Sequence, residues 1–138
     1  MYRKKVYVTR KIPEAGIIKL KEYFDVEVNE LDRELTYEEL KEKIKGKDGV
    51  LCLLSDRIDG ELMDIEPRIK IFANYAVGYN NMDVKAAKKR NIYLTNTPDV
   101  LTDATADLAW ALLFSVARRV VEGDKYVRDG KFKRWEPR

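Results

Sequence analysis

The sequence predicts an α/β fold built on a doubly wound parallel sheet, and three observations carry that prediction. Short β-runs and helical segments alternate five times along the first hundred residues. The links between them are short, as crossover connections in such sheets are. One run, "DGVLCLL", is apolar without alternation, the pattern of a strand inside a parallel sheet.

The elements follow in order. "KKVYVTR" is the first β-run. "KIPEAGIIKLKEYF" is a helix that starts at Pro13, whose fixed φ suits a first turn, with Ile17, Leu20, Tyr23 and Phe24 at helical spacing. "DVEVNE" alternates as a second strand does. In "TYEELKEKIKG", Thr36 followed by Glu39 makes a capping box, and Gly46 suits the far end. "DGVLCLL" is the third strand, "DGELMDIEP" a short helix and "RIKIFANY" the fourth strand. "MDVKAAKKRN" is a helix with Asp83 at its start and cations at its end, the arrangement that the helix dipole favours. "IYLTN" closes the series. By analogy with flavodoxin-like sheets, the expected strand order is 2-1-3-4-5.

After Pro98 the pattern changes, so residues 1–98 are expected to form one lobe and 99–138 a separate helical segment. The segment reads as one long helix, a break at Gly123 and a more polar second helix. From Leu108 to Ala117 the long helix is apolar nearly all round. A helix lying on one sheet needs only an apolar stripe, so this one calls for cover on further sides.

Composition narrows the chemistry. The 138 residues hold 27 Lys and Arg against 24 Asp and Glu, a mix that suits a solvated surface better than a nucleic-acid footprint. The most basic stretch, "RRVVEGDKYVRDGKFKRW", interleaves its cations with acids. The lone Cys52 lies in an apolar run and is expected to be a small core residue in a reducing, cytoplasmic setting. "MYRKKVYVTR" has no apolar core of a secretory signal, and "LAWALLFSVA" is far short of the ~20 residues of a membrane span. Gln is absent and charge is abundant, a habit of thermophile proteins. There is no histidine, so no His base, Ser-His pair or His metal ligand exists within these residues, and no metal site is expected.

Two motifs remain: "NYAVGYNNMD" at 74–83, and "NTPDVLTDATADLAWALLFSVARR" about twenty residues on. Together they resemble the N-terminal part of the D-2-hydroxyacid dehydrogenases, closest to the archaeal-type glyoxylate/hydroxypyruvate reductase branch, over essentially the whole chain. The resemblance implies a two-domain enzyme with a flavodoxin-like substrate lobe and a Rossmann lobe, reducing a small 2-oxo acid with NAD(P)H. It implies that backbone N–H groups of Val77 and Gly78 meet the substrate carboxylate, that Leu53 and Ser55 wall the pocket, and that Thr105 lies close to the nicotinamide. Asp107 stands where the family often has Glu and receives no role. Read alone, Gly78 suggests a turn, Leu53 core, Ser55 and Asp56 a loop and a helix cap, and Thr105 an ordinary first-turn residue.

The departures matter as much. No glycines have the G-x-G-x-x-G spacing of a dinucleotide turn. The family's catalytic Arg, Glu and His match nothing here, so no catalytic residue is assigned. The expectation is a truncated substrate-binding lobe that binds no cofactor and is inactive alone. The alternative is a self-standing flavodoxin-like folding or binding module without catalysis. A receiver-type signalling module would need acids after the first strand, where Thr9 and Arg10 stand. A homodimer, with the long helix exchanged between copies, is the expected way to cover that helix; neither nucleic acid nor membrane is an expected partner.

Overall fold

The computed structural model describes residues 3–31 and 33–135. Five strands, β1 (Lys5–Val8), β2 (Asp25–Val28), β3 (Gly49–Cys52), β4 (Ile71–Asn74) and β5 (Tyr93–Thr95), alternate with α1 (Glu14–Tyr23), α2 (Tyr37–Lys43), α3 (Gly60–Ile65) and α4 (Val84–Arg90). The strands form one sheet in the order β2-β1-β3-β4-β5, every pair parallel. This is the flavodoxin-like arrangement expected from the sequence.

Local chemistry sets the helix ends. Thr36 accepts from the N–H of Glu39 while the Glu39 carboxylate accepts from the N–H of Thr36, a complete capping box for α2. Past α2 the chain turns through Gly46 at φ 72°, a left-handed value that glycine adopts without strain. Asp59 caps α3 and Asp83 caps α4. Asn91, at φ 54°, ends α4 in the left-handed conformation that asparagine tolerates.

Register decides which side chains reach the core. Tyr7, Val50, Phe72 and Leu94 lie in one row across the sheet. On that face Val50, Cys52 and Phe72 pack with Leu40 and Ile44 of α2, Leu62 and Met63 of α3, and Ala86 and Ala87 of α4. The alternate row, Val6, Gly49, Ile71 and Tyr93, belongs to the other face. There Leu20 of α1 and Phe24 just beyond it stand beside Val6 and Leu51, while Ile71 is 37% and Tyr93 73% exposed. Cover on this second face is thus incomplete.

Residues up to Asp99 and those from Val100 on are two compact units. The second holds α5 (Thr102–Ala117) and α6 (Val120–Arg128). The break between them falls at Arg119 and not at the expected Gly123. Arg119 takes φ 53°, ψ 40°, which ends α5, and the N–H of Gly123 then bonds the Arg119 carbonyl inside the first turn of α6. The two arginines at the end of α5 suit its negative pole, and Arg119 pairs with Glu122. No residue of α5 is buried. Among the described residues no helix is long and apolar enough to cross a membrane.

Candidate functional site

In open parallel sheets, ligands bind beyond the carboxyl ends of the strands, where βα loops leave the sheet. That edge is where this chain concentrates its buried polar side chains. Thr9, Asn29, Asp56 and Asn74 are all buried, and each follows or ends a strand or sits in the loop just after one. Each has a hydrogen-bond partner, as burial of polar groups demands.

After β3 the chain turns through residues 53–56. Asp56 folds back, accepting from the Leu53 N–H at 2.8 Å and from the Thr9 hydroxyl at 2.5 Å. Read in sequence, Asp56 suggests a helix cap. Asp59 does that work instead, and Asp56 joins the ends of β1 and β3. Its negative charge has a visible effect on Cys52, whose thiol is pushed up to about 12, first by burial and then by Asp56. Cys52 is therefore an inert core thiol.

After β4 comes the loop 75–83, and its carbonyls are tied down one after another. Ala76 O accepts from Thr97 N–H, Val77 O from Asn96 Nδ2 at 2.7 Å, Gly78 O from Asn74 Nδ2 at 2.9 Å and Tyr79 O from Met82 N–H. The N–H groups of Val77 and Gly78 have no partner among the described residues. A loop with carbonyls bonded inward and amides left to solvent presents donors, the polarity an anion requires.

Asn74 and Asn81 join the two loops. Asn74 Nδ2 lies 3.1 Å from Asn81 Oδ1, and Asn81 Nδ2 donates to Leu53 O at 3.1 Å and Asp56 O at 2.9 Å. Leu53, Ser55, Val77 and Gly78 are thereby brought to one edge on loops that share a hydrogen-bond network. Leu53 is half-buried, and Ser55 is exposed with no partner for its hydroxyl among the described residues. Thr105 lies in the first turn of α5, exposed, its N–H bonded to Leu101 O.

Gly78 is informative for what it lacks. A Cβ placed there would meet nothing within 4 Å, and its φ is not in the left-handed range. Neither backbone conformation nor packing within the chain demands glycine.

Asn74, Asn81, Asn96, Thr9 and Asp56 are the positions that sequence reading missed. A signal did exist: the chain has no Gln and six Asn, and five of those six fall between 74 and 96.

The residues present do not fit a dinucleotide. None of the βα turns carries a glycine-rich pyrophosphate cradle, and β1 runs straight into Thr9, Arg10 and Lys11. No group of three or more His, Cys, Asp or Glu among the described residues is placed to hold a metal.

This sheet, with its donor loop at the carboxyl edge, is a flavodoxin-like α/β lobe with a candidate anion site. The chain belongs to the D-isomer specific 2-hydroxyacid dehydrogenase family: the family's catalytic domain matches residues 6–123. More particularly, it is 56% identical over 138 residues to the glyoxylate reductase of Pyrococcus furiosus, covering 97% of this chain and 41% of that one. The chain thus spans about two-fifths of the length of the curated relatives it matches. Among crystal structures, a protein from Thermus thermophilus aligns with a TM-score of 0.80 at 43% identity, over 96% of this chain and 43% of that one. An NADPH-dependent glyoxylate/hydroxypyruvate reductase from Sinorhizobium meliloti, in complex with NADP and malonate, aligns with a TM-score of 0.72 at 31% identity, over 95% and 40%.

Proposed function

We propose that this chain serves as the substrate-binding lobe of a glyoxylate reductase, holding the carboxylate of a small 2-oxo acid on the N–H groups of Val77 and Gly78. The observation that carries the reading is the polarity of the 75–79 loop, with its carbonyls bonded inward and those two amides unpaired. Leu53 and Ser55 form the neighbouring wall, fixed to the same network through Asn81. Recognition by neutral amides, without a cation bonded to the loop, gives weak affinity, in the millimolar range of about 4 kcal/mol.

In the intact reaction a hydride adds to the keto carbon and a proton to its oxygen. The 138 residues hold no histidine and no glycine-rich dinucleotide cradle, so in this reading the family's histidine proton donor and the cofactor both come from another lobe. Thr105, exposed on α5, is the position we assign beside a nicotinamide that another lobe would bring. Glyoxylate and NAD(P)H come to this reading from the relatives, the Sinorhizobium enzyme being NADPH-dependent.

The test combines assay and titration in one sample. NAD(P)H oxidation with glyoxylate is expected to be absent, while glyoxylate shifts the amide resonances of Val77 and Gly78. Turnover would overturn the assignment of inactivity. Absent shifts at saturating glyoxylate would leave a flavodoxin-like folding module with no ligand site.

A further inference from the structure

A peptide group is planar and trans, so a carbonyl and the N–H that follows it point in opposite directions across one plane. Whatever holds the carbonyl therefore aims the amide. In the 75–83 loop the Gly78 N–H shares its plane with Val77 O, and the Val77 N–H shares its plane with Ala76 O. Val77 O accepts from Asn96 Nδ2 at 2.7 Å, and Ala76 O from the Thr97 N–H at 2.9 Å. Both partners come from the two residues that follow β5. One strap thus aims both unpaired donors, one through a backbone bond and the other through a single side chain.

The 77–78 plane is free to turn but for that side chain. Its neighbours are tied, at Ala76 O by Thr97 and at Gly78 O by Asn74 Nδ2, so the plane between them can rotate alone. A half-turn changes φ at residue 78 by about 180°, a swing that glycine permits and a residue with a Cβ resists. Packing does not oppose it, since the place of a Cβ at Gly78 has nothing within 4 Å. After the half-turn a carbonyl oxygen stands where the N–H stood, and it repels an anion. The half-buried Asn96 side chain makes its bond to Val77 O and no other among the described residues.

We infer that Asn96 is a positioning residue of the anion site: its side-chain amide latches the 77–78 peptide with the Gly78 N–H outward, so that the loop offers a donor and not a carbonyl to the ligand. The inference rests on the carboxylate-binding reading for its ligand, while the latch itself stands on the bond to Val77 O. That bond also polarises the plane it holds, which makes the Gly78 N–H a stronger donor. The Val77 N–H is aimed through the Thr97 backbone and needs no side chain. The two donors therefore respond differently to a change at residue 96, which a merely structural role would not produce.

NMR on the full chain tests it, with residual dipolar couplings of the free protein and a glyoxylate titration followed at each amide. In Asn96→Ala the Gly78 N–H coupling is expected to change while that of Val77 stays. The Kd for glyoxylate should rise about fivefold to tenfold, the ligand-induced shift collapsing at Gly78 and persisting at Val77. Asn96→Asp has the same size but only acceptors, and it adds a negative charge behind the plane; it should weaken binding more than about tenfold. It carries the test if the alanine variant does not fold. Folded variants that keep the Gly78 coupling and bind glyoxylate like the wild type overturn the inference. So does an equal loss of shift at Val77 and Gly78, which would mean that Asn96 merely holds the loop together. Absent shifts in the wild type itself overturn the carboxylate-binding reading and the positioning role with it, and the couplings then tell separately whether Asn96 holds the plane.

Discussion

Asn74 and Asn81 form a reciprocal amide pair across the carboxyl edge of the sheet, Nδ2 of Asn74 3.1 Å from Oδ1 of Asn81 and Nδ2 of Asn81 3.4 Å from Oδ1 of Asn74. Through this pair one side chain reaches Gly78 O and the other reaches Leu53 O and Asp56 O. Two loops that carry no regular structure are thus held to one another by side-chain amides.

Removing that pair has a definite expected outcome. Asn81→Ala leaves the Leu53 and Asp56 carbonyls and one Asn74 donor without that partner in a part-buried setting. The cost is about 2 kcal/mol, or roughly 6–10 °C in Tm. Asn81→Asp should cost at least as much, because a carboxylate offers only acceptors to two carbonyls. Thermal unfolding of both variants beside the wild type checks it, and an unchanged Tm for Asn81→Ala would mean the loops hold without the pair.

Asp56 makes a second case, with the two substitutions expected to part company. Its carboxylate serves two donors, the Thr9 hydroxyl and the Leu53 N–H, and the residue is buried. Asp56→Ala strands both and is expected to cost about 2–4 kcal/mol. Asp56→Asn keeps an oxygen for them and should cost about 1 kcal/mol. Denaturant titration at constant m-value separates the two.

These residues explain which parts of the structure were legible in sequence. The Thr36–Glu39 capping box spans three residues, and the Asp83 cap lies within its own first turn, so both could be read from neighbours alone. The parallel sheet followed from the alternation of elements, and its strand order from analogy with flavodoxin-like sheets. The amide network was not legible, because Asn81 reaches Leu53 across 28 residues and a loop's path is not encoded in any period. The end of α5 escaped for a different reason. Gly123 was the expected breaker, yet Arg119 takes the left-handed turn, which a non-glycine residue can do at modest cost. Of the four residues expected at the pocket, all came to the carboxyl edge because βα loops of one sheet must emerge there. Which of their backbone groups stay unpaired depended on Asn74 and Asn96, whose roles no spacing announces.

Gly123 supplies a prediction of its own. It lies inside α6 with open space where a Cβ would be and no positive φ, so glycine there only weakens the helix. Gly123→Ala is expected to raise helicity by circular dichroism and to stabilise the helix by up to about 1 kcal/mol. A loss of helicity would show that the chain does bend at Gly123.

The Arg33–Glu39 contact predicts a dependence on pH. Arg33 donates through both terminal nitrogens to Glu39, at 2.8 and 2.6 Å, and Thr36 adds its N–H. These bonds, the arginine's first, lower the Glu39 carboxyl from 4.5 to about 2. A carboxyl depressed in the folded state stabilises the fold fully above its unfolded value and loses that contribution as pH falls. The window is therefore between about 4.5 and about 2. Glu39→Gln should flatten the stability profile inside that window and leave its shape at higher pH unchanged. An identical acid profile in the variant would remove Glu39 from the account.

Gly78→Ala separates a turn glycine from a ligand contact. Within the chain a methyl group at 78 meets nothing and the backbone is not left-handed. Folding should tolerate the change, and the less flexible unfolded chain should even favour it by about 0.4–1 kcal/mol. Toward a carboxylate the outcome is opposite, because the methyl stands beside the very N–H that is to meet the anion. The expected result is a Tm equal to or slightly above the wild type, together with loss of the glyoxylate-induced shifts at Val77 and Gly78. A lowered Tm would mean that glycine serves the fold. An unchanged Tm with undiminished shifts would mean that the anion approaches from elsewhere, leaving Gly78 a plain turn residue after all.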